Sequence, residues 1–236
     1  MKAVRGLLFL LAPVAVIAII IAVTGGEDAP TRSYSEPPKM TIDTNKSYTA
    51  TIETDLGNIV AELDPKTAPN AVNSFVFLAR QRFYDDLCFD RQAKGWLIQG
   101  GSPTCDGIGG SGFQVTDTPG TDGYPVGSLV GASFKGSPPG MFSSPFFIVT
   151  GTASPVDGKN IKFGTVISGL EVAQKISERP VKPGTTNKPR QPVRIKRITI
   201  KVGGVSTTAP SSSTTPSSAP ASSSTTSPPA SSTTEP

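Results

Sequence analysis

Short segments in which apolar and polar residues alternate recur between Tyr48 and Val202, and glycine or proline separates most of them. Alternation with a period of two is typical of a β-strand that buries one face, whereas a helix needs a period of about 3.6. Residues 48–53 and 59–63 alternate in this way on either side of a turn-forming segment, so they predict an opening β-hairpin. The pattern limits this part of the chain to a mostly β fold.

Further strands are predicted from the same signals. The last of them breaks phase, because its apolar positions alternate up to Ile195 and then resume, out of phase, at Ile198. A shift of one residue within a strand indicates a β-bulge, which we place at residues 196–197. The further predicted strands are residues 88–92, 96–99, 129–133, 146–150, 163–167 and 193–202.

Two helices are predicted among the strands. In residues 65–82, Val72 and Phe75 belong to a set of apolar residues at helical spacing, and Pro69 lies near the start, where proline is tolerated. A shorter helix is predicted at residues 170–177, where apolar residues again share one face. Many short strands, two helices and abundant glycine and proline together predict a closed antiparallel β-barrel with helices over its ends.

The N-terminal residues 6–23 form an uncharged and almost wholly apolar run. As a helix, its 18 residues would be about 27 Å long, close to the thickness of a bilayer core. A cleaved signal peptide has a shorter apolar region and a small-residue cleavage site, and no such site follows the run, so we favour a retained single-pass transmembrane helix. Basic residues precede the run and acidic residues follow it, which predicts a cell-membrane protein with its domain on the extracytoplasmic side.

The C-terminal residues 206–236 are almost entirely Ser, Thr, Pro and Ala, a composition that cannot bury enough apolar surface to fold. They predict either a plain disordered tail or an O-glycosylated stalk. Three prolines predict an extended linker ahead of the globular part. The predicted domains are a transmembrane anchor over residues 1–25, a linker over 26–46, a globular domain over 47–203 and a disordered tail over 204–236.

The net charge of +4 is concentrated late in the chain. Such a basic stretch either contacts phosphates or forms the solvated face of a strand, and no nucleic-acid motif accompanies it, so we expect no nucleic-acid partner. The chain has no histidine, which excludes a Ser-His-Asp triad, and we expect neither a metal nor a cofactor. The late basic residues are Lys182, Lys188, Arg190, Arg194, Lys196, Arg197 and Lys201.

Cys88 and Cys105 are the only cysteines, and they flank the segment 91–99. Outside the cytoplasm an even number of cysteines favours a disulfide. Two separate thiols are the alternative, and the choice stays open because a bridge requires Cα atoms within about 7 Å of each other.

The segment 89–101 reads Phe-Asp-Arg-Gln-Ala-Lys-Gly-Trp-Leu-Ile-Gln-Gly-Gly. It places an arginine (Arg91), an aromatic residue (Trp96) and an amide (Gln99) on two short strands joined by a tight turn, a set of groups that suits peptide binding. The aspartates at 85, 86 and 90 could hold a metal, but the first two lie in a turn, where aspartate is common without a ligand. The glycines at 107–112 lack the helix and the Lys-Ser/Thr pair of a phosphate-binding loop.

The same segment, as Phe89-Asp-Arg…Gly95-Trp-Leu-Ile-Gln-Gly-Gly, resembles the central signature of the cyclophilin-type peptidyl-prolyl cis-trans isomerases. Further stretches resemble the family in the right order, so the resemblance covers residues 47–202. These stretches are Thr54-Asp-Leu-Gly-Asn-Ile, Ala68-Pro-Asn-Ala-Val-Asn-Ser-Phe, Gly127-Ser-Leu-Val-Gly-Ala-Ser, Ser144-Pro-Phe-Phe-Ile and Asp157-Gly-Lys-Asn-Ile-Lys-Phe-Gly.

The resemblance implies an eight-stranded barrel that isomerises X-Pro bonds without a cofactor. It implies proline-containing polypeptides as partners, and we expect a monomer. Together with the apolar run, it predicts a bacterial, membrane-anchored member of the family that assists the folding of extracytoplasmic proteins.

The resemblance also implies roles for individual residues. Arg91 takes the position of the family's catalytic arginine, and Gln99 and Phe147 complete the catalytic set, with Phe147 at the floor of the proline pocket. The residues implied to bind substrate are Trp96, Leu97, Ala132, Ser133 and Asn160.

The residues expected to face the segment 89–101 across the substrate site differ from those of the family at several positions. An insertion also lies within residues 134–140. We therefore expect cyclosporin-type ligands to bind poorly. Two functions stay open: an active prolyl isomerase, or a proline-peptide-binding chaperone or scaffold of the cell envelope with little turnover. The departures are Asp90 for a usual histidine, Ser133 for an asparagine, Pro145 for a glutamine, Pro155 for a tryptophan and Asn160 for a histidine.

Overall fold

The computed structural model describes residues 30–120, 123–152 and 158–205. These residues form a closed β-barrel, a small separate sheet and two α-helices. The strands are β1 (Lys46–Thr54), β2 (Gly57–Leu63), β3 (Leu87–Ala93), β4 (Leu97–Gly100), β5 (Val115–Thr116), β6 (Ser128–Gly131), β7 (Met141–Phe142), β8 (Phe146–Val149), β9 (Lys162–Ser168) and β10 (Arg194–Val205). The helices are α1 (Pro69–Arg80) and α2 (Leu170–Ser177).

Eight strands close the barrel in the order β1, β10, β3, β4, β8, β6, β9, β2, and neighbouring strands are antiparallel. The mostly β, eight-stranded barrel with two helices that the sequence predicts is therefore confirmed. Each predicted strand is present, with ends that move by a few residues. The pairing of β5 with β7 was not predicted, because a strand of two residues has no alternation to detect.

The bulge predicted in β10 is present. The pairing partner in β10 jumps from Arg197 to Ile195 between two successive residues of β1, so Lys196 has no residue opposite it. The extra residue lets Ile195 and Ile198 both face the barrel interior, where they are buried. This bulge therefore explains why the alternation of apolar residues in the last strand changes phase.

The barrel interior and the inner faces of both helices share one apolar core. In α1, Val72 and Phe75 are fully buried. The centre of the Phe75 ring lies 5.2 Å from that of Tyr84, 5.7 Å from that of Phe146 and 5.1 Å from that of Phe163. Aromatic pairs of this kind contribute about 0.5–1.5 kcal/mol each beyond their buried area, so Phe75 fixes the helix against two strands of the barrel.

Helix α1 begins at Pro69 rather than at residue 65. The backbone carbonyl of Asp64 accepts a hydrogen bond from the Ala68 amide at 3.0 Å, and its carboxylate accepts one from the Thr67 amide at 3.1 Å. These bonds hold the preceding residues in a turn. Proline suits the first helical position because its missing N–H would have no partner there.

The segment 30–45, predicted to be an extended linker, contains no helix or strand but packs against the domain. The Tyr34 ring lies edge-on to the Phe77 ring, with centroids 5.2 Å apart. The Thr41 amide donates a hydrogen bond to the Asn73 side chain at 2.9 Å. These contacts extend the packed domain toward the N-terminus, because the segment supplies an aromatic ring that packs on α1 and a backbone amide that donates to it.

The predicted transmembrane run at 6–23, the tail from residue 206 and Pro155 lie outside the described residues. Within the described ranges, no helix has the length and apolar character needed to cross a bilayer. The anchor and the tail therefore stay predictions from sequence.

Candidate active site

Four side chains form a row across four neighbouring strands of the barrel. Arg91 of β3 pairs with Gln99 of β4. Gln99 pairs in turn with Phe147 of β8, and Phe147 pairs with Val130 of β6. Residues directly opposite each other on adjacent strands project from the same face of the sheet, so the row presents a cation, an amide and two apolar groups side by side.

A β-bulge at Asp90 turns Arg91 toward this face. Phe89 pairs with Gly100 and Arg91 pairs with the adjacent residue, Gln99, so Asp90 has no residue opposite it. Without the bulge, Phe89 and Arg91 would project from the same face, since they are two residues apart. With it, Phe89 is buried in the barrel core while Arg91 lies on the outer surface of the wall.

The row forms part of a groove of about 740 Å³. Its floor is an apolar cluster separate from the barrel core, in which Phe147 and Leu97 are 4% and 2% exposed. All eight residues that the sequence assigned to catalysis or substrate binding line this groove. The lining residues are Arg91, Trp96, Leu97, Gln99, Ala132, Ser133, Phe134, Lys135, Gly136, Ser137, Phe147, Lys159 and Asn160.

Arg91 lies over the ring of Trp96, with its guanidinium carbon 4.7 Å from the ring centroid. Trp96 reaches this position from the turn before β4 rather than from the strand in which it was predicted. Burial lowers the pKa of the Arg91 guanidinium, an effect that the Asp90 carboxylate opposes. Arg91 Nε and Trp96 Nε1 are both buried, and neither makes a hydrogen bond to any of the described residues. Buried donors without partners are uncommon in proteins, and a catalytic or binding role is one explanation for them.

Asp90 itself is held by the glycine-rich loop, which comprises residues 100–112. Its carboxylate accepts a hydrogen bond from the Ser102 hydroxyl at 3.0 Å, and Ser102 Oγ accepts one from the Gly107 amide at 3.1 Å. Burial raises the pKa of Asp90 to about 6, against the lowering effect of the Ser102 hydrogen bond. The neighbour of Arg91 is therefore a buried carboxyl group, which the resemblance identified only as a departure from histidine.

The opposite wall is braced by Asn160 and Tyr124. Asn160 Oδ1 accepts hydrogen bonds from the hydroxyl and the amide of Ser133, at 2.7 Å and 3.3 Å. The backbone of Asn160 is bonded to the Tyr124 hydroxyl, and the Tyr124 ring lies edge-on to that of Phe147 with centroids 6.2 Å apart. Asn160 is only 9% exposed, so in this structure it positions Ser133 as well as lining the groove.

Tyr124 was missed by the sequence analysis, as were the side chains of Phe134 and Lys135 at the groove. Tyr124 lies in a loop of glycine and proline, where no periodicity indicates what a side chain touches. The one sequence signal for Tyr124 is that it is an aromatic residue within this loop. Pro145, flagged as a departure, is buried, and its carbonyl accepts a hydrogen bond from the Ala132 amide at 2.8 Å.

The two cysteines are joined in a disulfide, with Cα atoms 5.5 Å apart. Cys88 lies at the start of β3, three residues before Arg91, and Cys105 lies in the glycine-rich loop that also holds Ser102. The bond ties this loop to the strand that presents Arg91.

The three aspartates considered for a metal have other partners. Asp85 is paired with Arg82 at 3.0 Å and Arg197 at 3.4 Å, Asp86 with Arg194 at 3.9 Å, and Asp90 with Ser102 at 3.0 Å.

Comparison with known proteins supports the same class. A family model described as cyclophilin type peptidyl-prolyl cis-trans isomerase/CLD matches residues 49–200. Peptidyl-prolyl cis-trans isomerase ppi1 of Schizosaccharomyces pombe is 34% identical over 142 residues, which cover 56% of this chain and 91% of that protein. Peptidyl-prolyl cis-trans isomerase-like 2 of Cryptococcus neoformans is 34% identical over 160 residues, which cover 66% of this chain but 28% of that longer protein.

Solved structures agree with the sequence relatives. A cyclophilin type peptidyl-prolyl cis-trans isomerase of Cryptosporidium parvum is 28% identical and superimposes with a TM-score of 0.59, covering 66% of this chain and 98% of that one. The same protein in the presence of the dipeptide Ala-Pro gives a TM-score of 0.54 at 29% identity, covering 65% and 98%. The chain therefore belongs to the cyclophilin-type peptidyl-prolyl cis-trans isomerases, a family of enzymes that bind proline-containing peptides. These relatives are eukaryotic, so the bacterial origin that the sequence predicts stays a prediction.

Proposed function

We propose that this protein isomerises X-Pro bonds in exported polypeptides on the outer side of a membrane, with Arg91 stabilising the twisted amide. The observation that carries the proposal is the row of Arg91, Gln99 and Phe147, in which a cation, an amide and an aromatic ring stand side by side on three adjacent strands. If a proline ring packs on Phe147, the X-Pro peptide bond would lie beside the side chains of Arg91 and Gln99.

The chemistry needs no proton transfer. Rotation about a peptide bond has a barrier of about 18–20 kcal/mol, because conjugation between the nitrogen and the carbonyl must be broken. As the bond twists, the nitrogen lone pair leaves conjugation and becomes an acceptor. A hydrogen bond from Arg91 to that nitrogen stabilises the twisted state more than the planar one, which is the condition for catalysis. The absence of histidine from the chain is compatible with such a mechanism.

Arg91 accounts for only part of the acceleration. A hydrogen bond to a charged group contributes about 1.5–3 kcal/mol, which corresponds to a factor of about 10 to 150 in rate. A thousandfold acceleration needs about 4 kcal/mol. The remainder falls to Phe147, Trp96 and Leu97, which hold the ring and keep water from the amide nitrogen, while Gln99 holds the neighbouring peptide group.

The activity is tested by measuring cis–trans isomerisation of a proline tetrapeptide with the purified full chain. We expect a rate well above the uncatalysed one and a decrease of about 10- to 150-fold in kcat/KM for Arg91→Ala. Arg80→Ala is a matched control, because Arg80 is an exposed arginine at the end of α1. A wild-type rate equal to background would refute the catalytic proposal, and an unchanged rate in Arg91→Ala would refute the role of Arg91.

A second function is favoured by the altered wall of the groove. Phe134 and Lys135, both from the insertion, line the groove. A wall of this kind suits a chaperone or scaffold that holds proline-containing segments with little turnover. Peptide binding without acceleration in the assay above would identify this second function.

The extracytoplasmic location has two independent supports. The apolar run at 6–23, with basic residues before it and acidic residues after it, has the charge asymmetry of a helix whose following domain is exported. The Cys88–Cys105 disulfide supports an oxidising compartment. Fractionation and protease treatment of intact cells test this location. We expect a membrane-bound protein whose domain is accessible to protease, and recovery in the cytosol with free thiols would contradict it.

A further inference from the structure

We infer that the segment Arg32-Ser33-Tyr34, here called the strap, positions the floor of the groove, and that Arg32 and Tyr34 are positioning residues for the isomerisation. The inference rests on the proposed function, because it concerns how the same site is held in place. Arg32 and Tyr34 are partly buried, whereas residues 31, 33 and 35 are exposed. The strap therefore turns two of its side chains toward the domain.

Arg32 attaches one end of the strap to the turn that follows α1. Its guanidinium donates hydrogen bonds to the backbone carbonyls of Phe83 and Asp85, and its central carbon lies 5.9 Å from the centre of the Phe83 ring. Tyr84, the residue between these two carbonyls, is fully buried, and its hydroxyl donates a hydrogen bond to the Ser144 carbonyl at 3.1 Å. Arg32 thus fixes the backbone on both sides of a residue that contacts Ser144.

Tyr34 attaches the other end to the glycine-rich loop. Its amide donates a hydrogen bond to the Ser111 carbonyl at 2.8 Å, and its ring lies edge-on to those of Phe77 and Phe113, with centroids 5.2 Å and 6.4 Å apart. Gly112 has a φ of +92°, and a Cβ there would lie 2.5 Å from the Tyr34 carbonyl oxygen. Only glycine suits both the backbone conformation and the close approach of the strap.

The contact with Tyr34 continues from the loop to Ser143. The Ser111 side chain is fully buried, and the Ser111 amide donates a hydrogen bond to Ser143 Oγ at 3.0 Å. Ser143 Oγ donates in turn to the Phe113 carbonyl at 2.7 Å. Ser143 is therefore held by the two loop residues on either side of the glycine that the strap crosses.

The two ends of the strap thus act on adjacent residues, Ser143 and Ser144. Ser144 is fixed further by a hydrogen bond of 2.8 Å from its hydroxyl to the Gly101 carbonyl. Strand β8 begins two residues later and carries Phe147, which forms the floor of the groove. A shift of about 1 Å in a group that orients the substrate can lower a rate by about 100-fold, so the strap contributes to catalysis by holding Phe147 opposite Arg91.

The test uses the full chain with Arg32→Ala/Tyr34→Ala and a proline tetrapeptide. We expect kcat/KM to fall about tenfold and the Kd of the peptide to change by less than about threefold, because the apolar floor is kept while its position varies. The amide chemical shifts of residues 146–149 should change in the same variant. This combination of results is not expected from a loss of stability alone.

Three variants serve as controls. Tyr34→Phe keeps the ring and should keep the wild-type kcat/KM, as should Thr31→Ala/Ser35→Ala at the exposed positions beside the strap. Asp117→Ala is the control for stability, because the Asp117 carboxylate accepts hydrogen bonds from the first turn of α1. It should leave kcat/KM unchanged at a temperature at which the protein is folded.

A double-mutant comparison identifies the residue through which the strap acts. On a Phe147→Leu background, Arg32→Ala/Tyr34→Ala should lower kcat/KM by less than about threefold, because residues that act through one another are not additive. A tenfold loss on that background would show that the strap does not act through Phe147.

Three further outcomes overturn the inference: an unchanged kcat/KM in Arg32→Ala/Tyr34→Ala, an equal loss in Tyr34→Phe, or an equal loss in Asp117→Ala. Failure of the proposed function looks different, because then the wild type does not isomerise the peptide above background. In that case the chemical shifts of residues 146–149 decide the matter: a change supports the strap as a positioning element, and unchanged shifts refute it.

Discussion

At the scale of single residues, Asp90 decides two properties of the site. As the bulged residue of β3 it lets Phe89 face the core and Arg91 face the groove. As a carboxylate it lies buried beside the cation that we assign to catalysis. Sequence reasoning placed Arg91, Gln99 and Phe147 in one groove, because a family resemblance supplies their roles. It did not find this bulge, since residues 89–92 are Phe, Asp, Arg and Gln and show no alternation whose phase could slip.

Burial of Asp90 predicts a distinct pH dependence of stability. Burial raises the pKa of Asp90 in the folded protein from 3.8 to about 6, so the folded state binds more protons than the unfolded state between these values. The contribution of Asp90 to the free energy of unfolding therefore falls as the pH rises from about 4 to about 6, and stays low above pH 6.

Asp90→Asn keeps an acceptor for Ser102 and removes the buried charge. We expect it to be more stable than the wild type at pH 7, by at most about 3 kcal/mol, and nearly equal at pH 4. Denaturant unfolding at both pH values measures the difference. Glu36→Gln, which removes an exposed carboxylate, serves as the control. A difference for Asp90→Asn that is the same at both pH values would show that its charge is not responsible.

At the scale of elements, the start of α1 depends on a residue distant in sequence. Ala68 at the N-cap has no side-chain acceptor, and the carboxylate of Asp117 accepts hydrogen bonds from the Ala71 amide at 2.7 Å and the Asn70 amide at 3.3 Å. The predicted helix was too long at its start because a cap supplied from another segment leaves no local signal. The bulge in β10 was found, by contrast, because it displaces apolar residues within one strand.

Removing this distant cap should loosen α1. We expect Asp117→Ala to lower the free energy of unfolding by about 1–2 kcal/mol, the usual effect of losing an N-cap side chain. Equilibrium denaturation measures the change, and Thr118→Ala, at the exposed neighbouring position, is the control. Equal stability of Asp117→Ala and the control would mean that the first turn of α1 does not need the carboxylate.

At the scale of the whole molecule, the sequence predicted the barrel but not how far the domain extends. The strands were predicted because each is an alternating segment, which is a local signal. The docking of residues 30–45 depends on contacts such as Tyr34 against Phe77, which join residues far apart in sequence and leave no periodic pattern. The Cys88–Cys105 bond closes a further long-range contact, from the glycine-rich loop to the strand of Arg91.

The disulfide should stabilise the domain mainly by restricting the unfolded chain. The cysteines are 17 residues apart, and closing a loop of this size contributes about 3 kcal/mol in the chain-entropy description. We expect Cys88→Ala/Cys105→Ala to be less stable by about that amount, and addition of reductant to destabilise the wild type but not the variant. Equal stability of the two proteins under oxidising conditions would contradict this expectation.

The central claim is that Arg91 acts on the twisted amide rather than on binding. NMR exchange spectroscopy of a proline peptide with the full chain measures affinity and the interconversion rate of the bound peptide separately. We predict that Arg91→Ala binds the peptide with an affinity within a few-fold of the wild type and interconverts it about 10- to 150-fold more slowly. An interconversion rate equal to that of the wild type, or a loss confined to affinity, would contradict the claim.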